Sequence, residues 1–502
     1  MSDIFIPGMS SRFDTPRMIE DLMRIERVPR DRAANNIERI GAERVFWQDL
    51  NRRASALQES ARNLFSFQNP FNSLVVQSSD ESVISGTAAR NAMEQDSSFT
   101  VRQLAQADRF LSAPQEQDFR VEAGTFTFTV GNEEVSFDFR GGTLREFADA
   151  LNRRGGDTIR ASLIAVRPGT NSLLIESRIT GAENRLDFAG SAIALGQEIG
   201  MIGPGDSGTG NSSGMVALNA VSIAQDAIIS MEGIEISRPS NEISDLIQGV
   251  TLNLRETSDR PVRLQVMADR EAVKDAIISF VGNYNRLMAE INILTRNDPA
   301  VVDELTFLTR DEREDALDRL GAFAGNSTLL QLRNSLMRIV SSPFETSEEQ
   351  YMSLLAHVGI STDVRRAGSS IGSADPSRLR GYLDIDERAL DSAIENRLPA
   401  LRQLFGHDTD GDLLVDSGVA FAIDTLMRPY SDRTGIFAQQ TNGIDSRIAQ
   451  ETRRIATMDR QLANREADLR RQFSQMEGAF NRMEQMSSSL ERLQQQNFNN
   501  SR

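Results

Sequence analysis

Between Ile448 and Leu490 the chain keeps one spacing. Ile448, Thr452, Ile455, Asp459, Leu462, Glu466, Leu469, Phe473, Met476, Phe480, Met483, Ser487 and Leu490 follow one another at intervals of four and three, the a/d pattern of a coiled coil over about six heptads. At ~1.5 Å rise per residue such a helix reaches roughly 70 Å. A helix of that length cannot bury its seam against itself, so it requires a partner. The seam includes Thr452, Asp459, Glu466 and Ser487 and relies on Met and Phe. Such a seam associates weakly and adaptably, as suits a helix that changes partner.

The partner within the chain is expected near the N-terminus. Ile40, Glu43, Trp47, Leu50, Ala54, Leu57, Ala61 and Leu64 alternate in the same way, on a helix expected from about residue 32 to Pro70. Upstream, Met18, Ile19, Leu22 and Met23 mark a short helix stopped at Pro29. Residues 1–15, with Pro, Gly and Ser, read as a flexible start, and 1–31 together as a flexible terminal segment ahead of the long helix. Ile40, Trp47, Leu50, Leu57 and Leu64 are expected to pair with Ile455, Leu462, Leu469, Phe473, Met476 and Phe480.

Residues 72–270 change character. Thr125–Val130 and Val135–Phe139 alternate around Gly131-Asn132, a hairpin signal. Leu144–Leu151 reads as a short helix, and Ile159–Val166, Leu173–Ile175 and Thr251–Leu254 as strands. Gly203–Gly214 reads as a low-complexity linker. Helical periodicity returns with Val273, Ile277, Phe280, Val281, Tyr284, Leu287, Met288 and Ile291. Residues 300–430 suggest helices broken by Gly, Ser and Pro, with a hairpin near Gly359–Leu383. The expected fold class is α+β and multidomain: helices at both ends pair into a coiled-coil leg and project an inserted β-rich head.

Composition narrows the function. Over 502 residues the net charge is −17, which leaves no basic footprint for nucleic acid and would be repelled by an anionic membrane. No run of apolar residues is long enough to span a bilayer. The start of the chain lacks the basic region and apolar core of a secretory signal. The chain has no cysteine, which excludes disulfides, thiolate metal sites and cysteine nucleophiles. Lys274 is the lone lysine among 55 basic residues. Arginine suits bidentate subunit contacts, although a lineage bias is the plainer explanation.

Catalytic constellations are weak. Gly205-Asp206-Ser207-Gly208 spells a serine-protease tetrapeptide, yet it sits in a linker, and only His357 and His407 could serve as base. Asp408, Asp410, Asp412 and Asp416 cluster as calcium ligands do, but without the EF-hand register, so a solvated polar loop is expected. His357, beside Leu354, Leu355 and Val358, reads as a satisfied structural histidine. Phosphate-binding, zinc and nucleophile-elbow motifs are missing. No enzymatic activity, cofactor or metal is expected.

Five motifs in order carry a family resemblance. Ser10-Ser11-Arg12-Phe13-Asp14-Thr15 with Ile19, Leu22-Met23, Glu26, Pro29 and Arg32 resembles the opening of the flagellar filament cap proteins, the hook-associated protein two family. Arg12 stands where that family usually has a small residue. Ser78-Ser79-Asp80 followed by Val101–Ala107 is similar to a second family motif. Leu174–Leu186 resembles the short repeat of flagellins and hook-associated proteins. Gln248–Leu252 with Val266, Asp269, Val273, Phe280-Val281 and Tyr284-Asn285 resembles the start of the family's C-terminal half, and Pro429-Tyr430 with Gly435 also fits.

The resemblance implies a structural protein exported unfolded through the flagellar type III channel. Such a protein forms a homo-oligomeric ring, commonly pentameric, at the filament tip, beneath which flagellin folds and inserts. It implies hook-associated junction proteins and an export chaperone on the C-terminal helix as further partners, and a location outside the cell, or in the periplasm where flagella are internal. It divides the chain into a terminal segment 1–31, an N-terminal leg helix 32–74, a first head domain 75–110 with 225–270, a second inserted head domain 111–224, a helical leg body 271–440 and a C-terminal coiled-coil helix 441–502. The interface residues expected from the two heptad seams are Ile40, Trp47, Leu50, Leu57, Leu64, Ile448, Ile455, Leu462, Leu469, Phe473, Met476, Phe480, Met483 and Leu490. Competing readings are a hook–filament junction protein, which shares the terminal helices and the repeat, and a surface adhesin or binding module.

Overall fold

The computed structural model describes residues 14–204, 215–348, 352–362 and 380–499, with side chains to Leu493. The Gly205–Gly208 tetrapeptide lies outside the described residues. The chain forms two compact units, residues 1–69 with 273–502 and residues 70–272. As expected, the terminal helices belong together and the β-rich material lies between them in sequence.

In the helical unit the N-terminal helix spans Thr15–Phe65. Asp14 opens it by accepting from the Arg17 amide, and Pro16 occupies its first turn, where a missing N–H costs nothing. The helix does not stop at Pro29: the short helix expected around Met18–Met23 is continuous with the long one, as a single helix from Thr15 onward. Proline removes one backbone bond, to the Ile25 carbonyl, and crowds the preceding turn. Packing outweighs that loss: Ile19 and Met23 are buried against Leu469, flanked by Leu462 and Phe473. The helix ends at Ser66, whose extended backbone leads toward Pro70.

The C-terminal helix runs Ile436–Asn499. Between the end helices in sequence lie Arg270–Thr295, Ser327–Ser341, Glu387–Asn396, Leu398–Phe405 and Val419–Ser431. The apolar stripe from Val273 to Ile291 is buried, and Leu287–Thr295 is buried on all sides. Near Gly359, Ile360–Ser361 pairs antiparallel with Asp384–Ile385. The intervening 363–379 lies outside the described residues.

The β-rich unit has two cores. In the first, an antiparallel sheet orders its strands as 74–78, 262–268, 95–103, 227–231 and 234–238, and a smaller one as 242–247, 250–254 and 84–88. Phe99, Val101, Ile229, Leu252 and Leu264 fill the space they enclose. In the second, strands 124–130 and 133–139 form the expected hairpin, with Gly131 at φ 58° in its turn. Helices Leu144–Gly155 and Ser191–Glu198 cover this core together with the sheet ordered 159–167, 170–177, 109–111 and 220–222. Phe126, Phe128, Phe147 and Phe188 sit at its centre. The Gly203–Gly214 stretch is not all linker, because Ile202–Pro204 pairs with Met215–Ala217.

Candidate assembly interface

The helical unit is built on an antiparallel pair of end helices. Thr15 Oγ1 donates to Glu477 Oε1 at 2.6 Å. Further along, Arg465 reaches Glu26 at 3.0 Å, Arg30 reaches Asp459 at 3.1 Å and Arg44 reaches Asp445 at 2.7 Å. Trp47 then lies 5.7 Å from Phe437, ring centroid to centroid. As numbers rise on one helix they fall on the other, so a single register holds throughout. Most of these ion pairs are exposed. They set orientation more than stability, because solvent screens them.

That register corrects the expected pairing. Ile455, Leu462, Leu469 and Phe473 lie alongside the Thr15–Ile40 half of the N-terminal helix, not alongside Leu50–Leu64. Leu50, Leu57 and Leu64 are fully buried, but their half of the helix packs on other elements. Gln58 and Arg62 donate to Asp424 at 3.0 and 2.9 Å, Phe65 meets Phe421, and Arg53 pairs with Glu290 at 3.4 Å. Ile40 is buried, and Trp47 stacks on Phe323 with centroids 4.7 Å apart. A heptad seam identifies which face is buried but does not identify the helix that covers it.

On the C-terminal helix, Ile448, Ile455, Leu462 and Phe473 are half-buried and Leu469 is buried. From Met476 onward the seam opens: Met476 and Phe480 are exposed, Met483 is 61% exposed and Leu490 62%. The a/d reading did not include Met486 and Leu493, which are exposed as well. A run of apolar side chains in water at the end of an otherwise packed helix marks an interaction surface.

Among the described residues of the helical unit, three buried carboxylates escaped the sequence reading. Asp424 is inaccessible and held by Arg62, Arg428 and Gln58. Its signal was legible as one acid within the apolar run Val419–Met427. Glu290 pairs with Arg319 at 2.8 Å and with Arg53. Burial pushes its carboxyl above the usual range, while Arg319 and Arg53 oppose the shift. Glu477 accepts from Thr15 as described.

The acidic loop is folded by its own backbone. Asp408 accepts from the Gly411 and Leu413 amides, Asp410 from Asp412, Asp412 from Leu414, and Asp416 from Thr409. Ligand oxygens of Asp408, Asp410 and Asp416 lie within 4.8 Å of one another, and these turns account for their convergence. His407 Nδ1 lies 3.2 Å from the Glu345 carbonyl. A groove of about 350 Å³ contains both His407 and Asp408, but the Asp408 oxygens are spent on amides, so the pair is not arranged as base and orienter. His357, read as a structural histidine, is exposed, because the short turn Leu355–Val358 buries Leu355 and Val358 and turns the imidazole outward. No described helix is long and apolar enough to cross a membrane.

Comparison with known proteins gives a consistent result. A family model described as the flagellar hook-associated protein 2 C-terminus matches residues 224–485, and one for its N-terminus matches residues 11–108. The flagellar hook-associated protein 2 of Treponema maltophilum is 30% identical, over 90% of this chain and 93% of that protein. Its counterpart in Treponema pallidum (strain Nichols) is 29% identical, over 89% and 93%. The crystal structure of the D1-D2-D3 domains of the flagellar cap protein FliD from Escherichia coli superposes over 81% of this chain and 99% of that one. Its TM-score is 0.52 at 23% identity, a likeness of fold.

Proposed function

The chain belongs to the flagellar hook-associated protein 2 family, and from that premise we propose that it caps the distal end of a bacterial flagellar filament. It does so as a ring of identical subunits, beneath which exported flagellin folds and inserts. The oligomeric, structural character of the family supports the ring and supports a non-enzymatic role. The mechanism is non-covalent. The paired end helices form a leg, and residues 75–110 with 225–270 and the inserted 111–224 form two head domains. Two separate apolar cores in that stretch support the division.

The observation that carries this reading is the seam that continues uncovered past Glu477. The exposed Met483 and Leu490 offer a weak, adaptable surface that an export chaperone, flagellin or a hook-associated junction protein could occupy in turn. The proposed location is the flagellar tip, outside the cell or in the periplasm where flagella are internal.

The test is to measure the mass of the full-length protein by light scattering and to image it by negative stain, alone and after deletion of residues 478–502. Rings with protruding legs, and loss of filament growth on deletion with melting temperature unchanged, are the expected results. A monomer at high concentration, or normal filament growth by the deleted protein, would sink the proposal.

A further inference from the structure

We propose that the turn Ser177–Leu186 is a clasp that locks the two cores of the β-rich unit into one rigid body. The chain passes between the cores twice, outward near Gln106 and back near Gln225. These crossings lie side by side. The Gln106 and Gln225 amides each donate to the other's carbonyl, at 2.9 and 3.1 Å, and Gln225 Nε2 donates to the Leu104 carbonyl. A two-stranded ribbon alone is a poor joint, because it bends and twists about its own axis and is marginal in isolation. A fixed joint needs a third attachment away from that axis.

The turn supplies it. It hangs from the second core, where Ser177 closes strand 170–177 and Leu186 opens strand 186–190. Its tip meets the first core. Thr180 Oγ1 donates to the Pro239 carbonyl at 2.6 Å, and the Ala182 amide donates to Asp226 Oδ1 at 2.7 Å. The second Asp226 oxygen accepts from Ser237 Oγ at 2.9 Å, which aims the carboxylate. The Gly181 amide donates to the Gln106 carbonyl at 3.1 Å.

Residue type matters at each position. Gly181 sits at φ +112°, and a Cβ there would come within 2.6 Å of Pro239, so only glycine allows the tip to seat. Asn184 Nδ2 donates to the Thr180 carbonyl at 2.6 Å and holds the turn closed. Asp108, which is inaccessible, ties the base of the turn to both crossings. Its carboxylate accepts from Arg185 Nε, the Leu186 amide and the Ala224 amide, and its carbonyl accepts from the Ser177 amide. The repeat is thus explained by a job in the joint, and the two cores of the β-rich unit move together instead of flexing about the crossings.

Hydrogen exchange on the full-length protein tests this. The Gly181 and Ala182 amides should exchange as slowly as those of the neighbouring strand 186–190. Thr180→Val should speed both about tenfold, the loss of one hydrogen bond, and leave strands 124–130 and 262–268 unchanged, whereas Thr180→Ser should match the wild type. Loop-like exchange at Gly181 and Ala182 in the wild type, or Thr180→Val acceleration spread equally over both cores, would overturn the proposal. Because the chain has no cysteine, spin labels at Glu81→Cys and Arg153→Cys read the joint directly. One narrow distance population is expected, broadened by Gly181→Val. A broad wild-type distribution, or a narrow one that survives Gly181→Val with both cores protected, refutes the clasp. If Gly181→Val fails to fold, the wild-type exchange and the Thr180 variants decide alone.

Discussion

Thr15 and Glu477 are 462 positions apart in sequence and 2.6 Å apart in the fold, hydroxyl to carboxylate, with both residues buried. This bond closes the helix pair at the point where the C-terminal seam leaves its cover. Thr15→Val removes the donor but keeps the shape. The expected cost is about 1–3 kcal/mol, the range for a bond to a carboxylate that stays buried. A helix end can open locally, so the loss should appear as faster amide exchange near residues 18–23 and 473–480, with the global denaturation midpoint unmoved. Thr15→Ser should restore protection. A shift of the global midpoint instead would mean that the leg and the rest of the helical unit unfold as one.

What the sequence disclosed followed from periodicity. The buried face of Arg270–Thr295, the hairpin about Gly131 and the two end helices all declare themselves through spacing and turn chemistry. What it concealed depended on partners distant in sequence. Leu57 and Leu469 obey the same heptad rule, yet one is covered by its neighbours in the helical body and the other by Met23. Pro29 gave a correct local signal that long-range packing overrode. The burial of Glu290 and Asp424 was concealed because Arg319, Arg53 and Arg62, which pair with them, lie far away in sequence.

Pro29 allows that override to be measured. Pro29→Ala restores the amide that can donate to the Ile25 carbonyl and removes the ring clash. Proline in a helix interior costs about 3 kcal/mol relative to alanine, so the variant should gain a large part of that in leg stability. The expected readouts are higher helicity and slower exchange over residues 15–35. If protection there fell, the helix would need the proline's bend to keep Ile19 and Met23 on Leu469.

The Asp424 cluster predicts an asymmetry. Asp424 is inaccessible, while Arg62 and Arg428 are each about half exposed. Removing the acid leaves two arginines that water can reach, so Asp424→Asn should cost about 1–2 kcal/mol. Removing both arginines strands a charge in the interior, and Arg62→Ala with Arg428→Ala should cost about 3 kcal/mol or more. Urea midpoints of the two variants provide the comparison. Equal costs would mean that Gln58 and water satisfy the carboxylate unaided.

Glu290 gives the helical unit a pH dependence of definite sign. Burial raises its folded pKa above the ordinary value of 4.5, against the pull of Arg319 and Arg53. An acid whose pKa is raised on folding binds more protons in the folded state than in the unfolded state between the two values. Its contribution to stability is therefore greatest at or below pH 4.5 and falls as pH rises toward the folded value, beyond which the penalty is constant. Glu290→Gln keeps the shape and removes the titration. Relative to wild type, the variant should become steadily more favourable in urea midpoint as pH is raised from 4 to 7. The reverse slope would show that Arg319 at 2.8 Å and Arg53 at 3.4 Å outweigh the burial of the charge, and that the carboxylate is held ionised by its ion pairs.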